Sequence, residues 1–260
     1  MIQLQEQDVL WEYDGSFWGM MTVVDRAFSQ KILPAEILNP ATTAISLFPS
    51  EWLATDESRG KQIWRRLQQK LTPDNQAFIR DGFNSTLLDK ERALLTAIAI
   101  ALESRDSLTN FIGHPQVLAL QKAIQSLLGE VHLLTGFVRF EYVGAILFSK
   151  IAPKHQSLPY LCPHFAERYP NEQLLIYDET HRLLAVIDHG ATSFIEDLDC
   201  PLSPEDANEV QVQEHWQTFL AAVTIKERSN PTLQRSHLPL RFRENMVDFG
   251  RGKQQTPPLE

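Results

Sequence analysis

Between residues 137 and 198 the chain breaks into short β-rich runs too brief to be anything but strands. They are FVRFEYV (137–143), AILFSKI (145–151), QLLIYDE (173–179), RLLAVIDHG (182–190) and TSFIEDL (192–198). Each is dense in Val, Ile, Leu, Phe or Tyr, and Gly144 or a polar turn separates it from a neighbour. One segment of a different kind interrupts them: LPYLCPHFAERY (158–169), which reads as a helix entered through Pro159. The order β-β-α-β-β-β is most simply an antiparallel sheet with one covering helix.

Upstream the pattern is helical. VLWEYD (8–13) reads as a strand that runs into Gly15, and Ser16 can cap a helix over 17–30. Phe17, Met20, Met21, Val24 and Phe28 then share one face. Residues 31–55 read as loop, with one apolar run, ISLF, between Pro40 and Pro49. Asp56, Pro73 and Asp89 open helices running to Leu71, Phe83 and Ser104. Pro115 opens a long one over 115–135, with Val117, Leu118, Leu120, Ile124, Leu127, Leu128, Val131 and Leu134 giving it an apolar face and Gly136 as its stop. A further long helix is expected over 203–227, and a short one after Pro239. A polar tail with two prolines, 250–260, is expected to be disordered. The fold class is therefore α+β: a mainly helical region 1–113, an α+β region 114–249, and the tail. The first strand needs a partner, so a single intertwined domain also fits.

Composition bounds the function. The chain has 260 residues, 43% hydrophobic and 22% charged, enough apolar residues for a large core and too few charges for wholesale disorder. Its N-terminus has no basic stretch followed by an apolar one, and the longest apolar run, LLTAIAIAL (94–102), is far too short to span a bilayer. A soluble, cytoplasmic protein without membrane contact is expected. Cys162 and Cys200 are too few for a disulfide framework or a cysteine-rich metal site, and they read as reduced thiols. The chain contains no GxxxxGK[ST], no GxGxxG after a strand, no GxSxG and no CxxxCxxC. ATP, dinucleotide and radical chemistry therefore have no support within it, and neither a metal nor a cofactor is expected.

The formal net charge is −9, the wrong sign for a nucleic-acid binder, so such binding has to come from a local patch. The stretch IKERSNPTLQRSHLPLRFRENM supplies one. Between Lys226 and Arg243, the cations Lys226, Arg228, Arg235, Arg241 and Arg243 face a single acid, Glu227, in a local balance of +4. Guanidinium forks suit phosphate oxygens, Asn230 and His237 add polar groups, and Phe242 lies between two arginines where a base can stack. The alternative is a solvated or salt-bridged surface, since the chain carries 33 acids. A second candidate is PHFAERYP. On a helix His164, Glu167 and Arg168 share a face, which can present an acid–base pair with an anion clamp or a plain surface ion pair. A third is Arg139, in GFVRFEY beside Phe137 and Tyr142, which can hold an anion or sit on an ordinary half-buried strand. YDGSFWG carries Asp14 and Gly15 on a tight turn, and a turn accounts for it.

Three of these stretches carry a resemblance. YDGSFWG, then GFVRF followed by IAPKHQSLPYLCPHFAERYP, then KERSNPTLQRSHLPLRFRENM resemble, in order and along nearly the whole chain, a bacterial family associated with DNA metabolism and repair. Its genes typically lie beside a radical-SAM protein, and some members are fused to a uracil-DNA-glycosylase-like domain. The resemblance implies DNA as a partner, a radical-SAM repair protein as a second, and a site at Lys226, Arg228, Asn230, Arg235, His237, Arg241 and Arg243, with Arg139 and Arg168 beside it. It transfers no catalytic residue. Two other classes stay open: an enzyme acting on a nucleic-acid base or sugar-phosphate through His164 and Glu167, and a protein-interaction module that never meets nucleic acid.

Overall fold

The computed structural model describes residues 4–39, 46–104, 106–196, 218, 230, 232 and 238–243. The chain forms two compact units, Met1–Leu127 and Leu128–Glu260.

In the first unit, strand β1 (Gln5–Glu12) ends in the turn that begins the first helix. Gly15 adopts φ 81, and Asp14 Oδ1 accepts from the Ser16 backbone N (3.0 Å) and from Ser16 Oγ (2.8 Å). Ser16 Oγ in turn accepts from Gly19 N at 2.9 Å, capping helix α1 (Phe17–Gln30) as expected. The stretch 31–55, expected to be loop, contains two strands, β2 (Ile32–Leu38) and β3 (Ser50–Trp52). Both run parallel to β1, in the order β2-β1-β3. Pro34 argues against a central strand, but β2 lies at an edge of this sheet, where a proline is tolerated. The parallel sense of β1 and β2 follows from α1 lying between them as a crossover.

Helices α2 (Glu57–Lys70), α3 (Pro73–Asn84) and α4 (Lys90–Ser104) follow, the first two capped by Asp56 and Thr72 side chains. Asp89 instead takes φ 54, and its carbonyl accepts from Ala93 N at 3.1 Å. Trp11, Met20, Val23, Leu94, Leu95, Ile98 and Leu120 are buried together at the centre of this unit. The Tyr13 hydroxyl and Asn39 Nδ2 both donate to Glu91 Oε1, at 2.9 and 3.0 Å, tying the strand ends to α4. Burial, reinforced by the Glu91 carboxylate, pushes the Tyr13 phenol well above its ordinary range.

Helix α5 (Pro115–Phe137) runs through Gly136, where a stop was expected. Phe137 therefore belongs to the helix, and the strand expected over 137–143 shortens to β4 (Glu141–Val143). Then come β5 (Ile146–Ile151), α6 (Leu158–Arg168), β6 (Gln173–Asp178), β7 (Leu183–Asp188) and β8 (Ala191–Ile195), in the expected β-β-α-β-β-β order. Spatial order equals sequence order, β4-β5-β6-β7-β8. The α+β class holds, but the sheet is mixed rather than wholly antiparallel, because β5 and β6 pair parallel. Helix α6 connects them as a crossover that carries the chain back to the end of the sheet where β5 began, so β6 runs in the same direction. Leu147, Ile151, Leu161, Phe165, Leu174, Ile176, Ala185 and Ile187 form the core on one sheet face. The period-two alternation places Phe148, Tyr177 and Leu184 on the other.

A short helix, α7 (Leu240–Arg243), lies where one was expected after Pro239, and Phe242 joins the same core. The helix expected over 203–227, the tail 250–260 and Cys200 lie outside the described residues. Cys162 is a free thiol that burial pushes up to about 12, so at neutral pH it stays protonated and inert. Among the described residues, no helix is long and apolar enough to cross a membrane, and no group of three or more His, Cys, Asp or Glu can hold a metal ion.

Candidate nucleic-acid interface

The site in the second unit is built around one carboxylate. On α5, Leu127, Glu130 and Leu134 are spaced three and four apart, so Glu130 stands in the helix's buried stripe. Its side chain is 0% exposed. A bare carboxylate there is costly, and four donors compensate it. Lys154 N gives to Oε1 at 3.0 Å, while His155 N and Ser157 Oγ each give to Oε2 at 2.9 Å. Arg241 Nη2, from α7, reaches Oε1 at 3.2 Å. Glu130 thus binds the loop between β5 and α6, and α7, to the end of α5.

Arg241 is 48% exposed, so only one side of its guanidinium is spent on Glu130, and its Cζ lies 4.6 Å above the Phe242 ring. Beside it opens a small pocket with about 20 Å³ accessible to water. Its apolar lining is Leu134, Phe137, Val138, Ile151, Ala152 and Phe242; its cations are Arg139, Lys150 and Arg241. Phe137 and Phe242 have ring centroids 5.8 Å apart. Arg139 Nη1 donates to the Gly136 and Val138 carbonyls at 2.8 and 3.2 Å, closing the C-terminus of α5, where a cation is also favoured by the helix dipole. Lys150 Nζ pairs with Glu179 Oε1 at 2.6 Å.

His155 is buried at 1% exposure. Burial holds its pKa below the ordinary 6.5; Glu130 opposes that shift, while Lys154, Arg241 and His181 add to it. The unfolded chain therefore takes a proton near pH 6.5 that the folded one refuses, so stability is complete above that pH and falls as pH drops below it. Wild type should lose more melting temperature between about pH 7 and about pH 5 than His155→Gln does, in thermal melts followed by circular dichroism.

Of the residues expected at a site, Arg139 and Arg241 both line this pocket. Arg243 lies on the same short helix with its Nε on the Leu238 carbonyl at 3.2 Å, outside the pocket lining. His164, Glu167 and Arg168 are exposed on α6. The His164 ring packs edge-on against Phe165, and Arg168 lies 5.7 Å from the Tyr169 ring. None of the three lines the pocket. Asn230 is exposed, and Lys226, Arg228, Arg235 and His237 lie outside the described residues.

Lys150, Glu130, His155 and Ser157 were not singled out by the sequence. A signal existed for Glu130, an acid at an apolar position of its helix. The KHQS segment was a signal too, since it sits in the same long motif as HFAER.

The class this architecture defines is a two-unit α+β chain whose second unit carries a pocket lined by cations and aromatic rings at the C-terminal end of β5. The chain belongs to the family of domains of unknown function DUF4130, whose model matches residues 88–248, from the start of α4 past α7. Comparison with curated proteins gives no significant match.

Proposed function

We propose that this protein binds DNA in DNA metabolism or repair, as an accessory subunit that holds the nucleic acid for a radical-SAM partner. The observation that carries the reading is the pocket lined by the cations Arg139, Lys150 and Arg241 together with the rings of Phe137 and Phe242. Phosphate oxygens are the natural ligands of such cations, and aromatic rings stack bases without regard to sequence. In a chain of net charge −9 this binding is local and electrostatic. Phosphate contacts release counterions, so affinity falls steeply with salt. The resemblance of the motifs around Arg139 and Arg241 to a DNA-repair family supplies the partner.

Fluorescence anisotropy with labelled single-stranded, double-stranded and damaged oligonucleotides tests the reading. Wild type should bind at low salt, with log affinity falling linearly in log salt. Arg139→Ala and Lys150→Ala should each weaken binding and reduce the salt slope by about 1. At Arg241 the substitution of choice is lysine, because alanine also strips a partner from Glu130. No binding to any of the three DNA forms at low salt would end the DNA reading in favour of a protein-interaction module. Co-purification with the radical-SAM protein tests the partner separately.

A further inference from the structure

Among the described residues, strands β5 and β6 are the one parallel pair of their sheet, and ligands of open sheets with parallel strands gather at the carboxyl ends of those strands. The pocket residues Lys150, Ile151 and Ala152 lie at that end of β5. Asp178 lies at that end of β6, in register with Ile151, and Glu179 N donates to the Ile151 carbonyl at 2.9 Å. Asp178 is 0% exposed. Its Oδ1 accepts from His181 N at 3.1 Å, and its Oδ2 meets His181 Nδ1 at 2.7 Å.

The first of these contacts belongs to any turn opened by an aspartate. The second does more. A buried carboxylate on Nδ1 orients the ring and leaves Nε2 as the nitrogen that exchanges a proton. The same chain contains a comparison: His189 Nδ1 meets Asp188 Oδ1 at the same 2.7 Å, but there the side chains are 73% and 52% exposed. At Asp178–His181 they are 0% and 22% exposed, so that imidazole is both held and reachable. Neither residue lines the pocket, but Asp178 pairs in register with the pocket residue Ile151, and the pocket residue Lys150 is ion-paired to the adjacent Glu179, which puts the pair on the strand next to the pocket's β5 wall.

We infer that His181, oriented by Asp178, is an acid–base group acting on a phosphodiester held by Arg139, Lys150 and Arg241. The identity of that diester as nucleic acid rests on the function proposed above. Water is the co-reactant. Its proton passes to His181 Nε2 as its oxygen bonds to phosphorus. The P–O bond to the leaving oxygen breaks with its electron pair, and that oxygen takes the proton back from Nε2. The products are one alcohol and one phosphomonoester, with no change of oxidation state. His181 is then catalytic and Asp178 a positioning residue.

The test uses the full chain with two probes, bis(p-nitrophenyl) phosphate and a labelled single-stranded oligonucleotide, read for hydrolysis and, on the oligonucleotide, for anisotropy. Wild type should hydrolyse both. His181→Ala should lose at least about 100-fold in kcat while keeping its DNA affinity, and added imidazole should restore part of the rate. Asp178→Asn should lower kcat with KM little changed. His181→Gln, whose amide can still donate to Asp178, keeps the turn should the alanine variant melt early, and it should be as inactive. DNA binding without hydrolysis by wild type, or rates unchanged in both His181 variants, overturns the inference and leaves the binding function standing. Hydrolysis of the small diester without DNA binding keeps the acid–base pair and removes the nucleic-acid reading.

Discussion

Replacing Glu130 with alanine should lower the melting temperature by about 10 °C, the largest single effect expected in the second unit. The change does not merely delete an ion pair. It strands the backbone N–H groups of Lys154 and His155, the Ser157 hydroxyl and one face of Arg241, all of which end on that carboxylate. Removing one partner from a buried, fully bonded charge costs about 3–5 kcal/mol, because the groups left behind are desolvated and unpaired. Glu130→Gln keeps an accepting oxygen but turns a donor toward one of these donors, so it should fall between wild type and alanine. Thermal unfolding followed by circular dichroism gives the answer. An alanine variant melting within about 2 °C of wild type would mean that the four contacts contribute little net stability. Glu130 would then be free for a role in the site itself.

Gly19→Ala should destabilise the first unit by about 3 kcal/mol, at the upper end of what overpacking costs. A Cβ on Gly19 would lie 2.2 Å from Asp14 Oδ1, 2.7 Å from Thr55 Oγ1 and 2.9 Å from a Tyr13 ring carbon. None of these can yield cheaply. Asp14 is engaged by Ser16 N and Oγ, Tyr13 is fully buried with its hydroxyl on Glu91, and Thr55 sits at the entry to α2. The crowding at the turn, not the intrinsic helix preference of alanine over glycine, decides the sign. Denaturant unfolding of Gly19→Ala beside Gly129→Ala, an exposed helical position on α5 with nothing within 4 Å, separates the two effects. Equal midpoints for the two variants would refute the packing argument. The YDGSFWG motif is thereby explained as the tight β1–α1 junction, with a glycine where helix, turn and strand end come closest.

What could be read from residues alone was whatever depends on neighbours in sequence. Helices α1, α2 and α3 begin where Ser16, Asp56 and Pro73 announce them, because a cap or a proline acts on the next turn of chain. The five strands of the second unit appear where β-rich runs alternate with turns, since period-two alternation and turn residues are also local. Arg139 and Arg241 were legible as cations, but not as neighbours, for 102 positions separate them in the chain. Tertiary structure decided the rest. The strand Ile32–Leu38 is held by pairing with β1, which outweighs the local evidence of Pro34. The parallel sense of β5 and β6 comes from where α6 returns the chain, not from either strand's composition. Glu130 reads on its helix as one more acid. It becomes the centre of the site because donors from residues 154, 155, 157 and 241 converge on it, and a buried charge persists only where the whole fold delivers such partners.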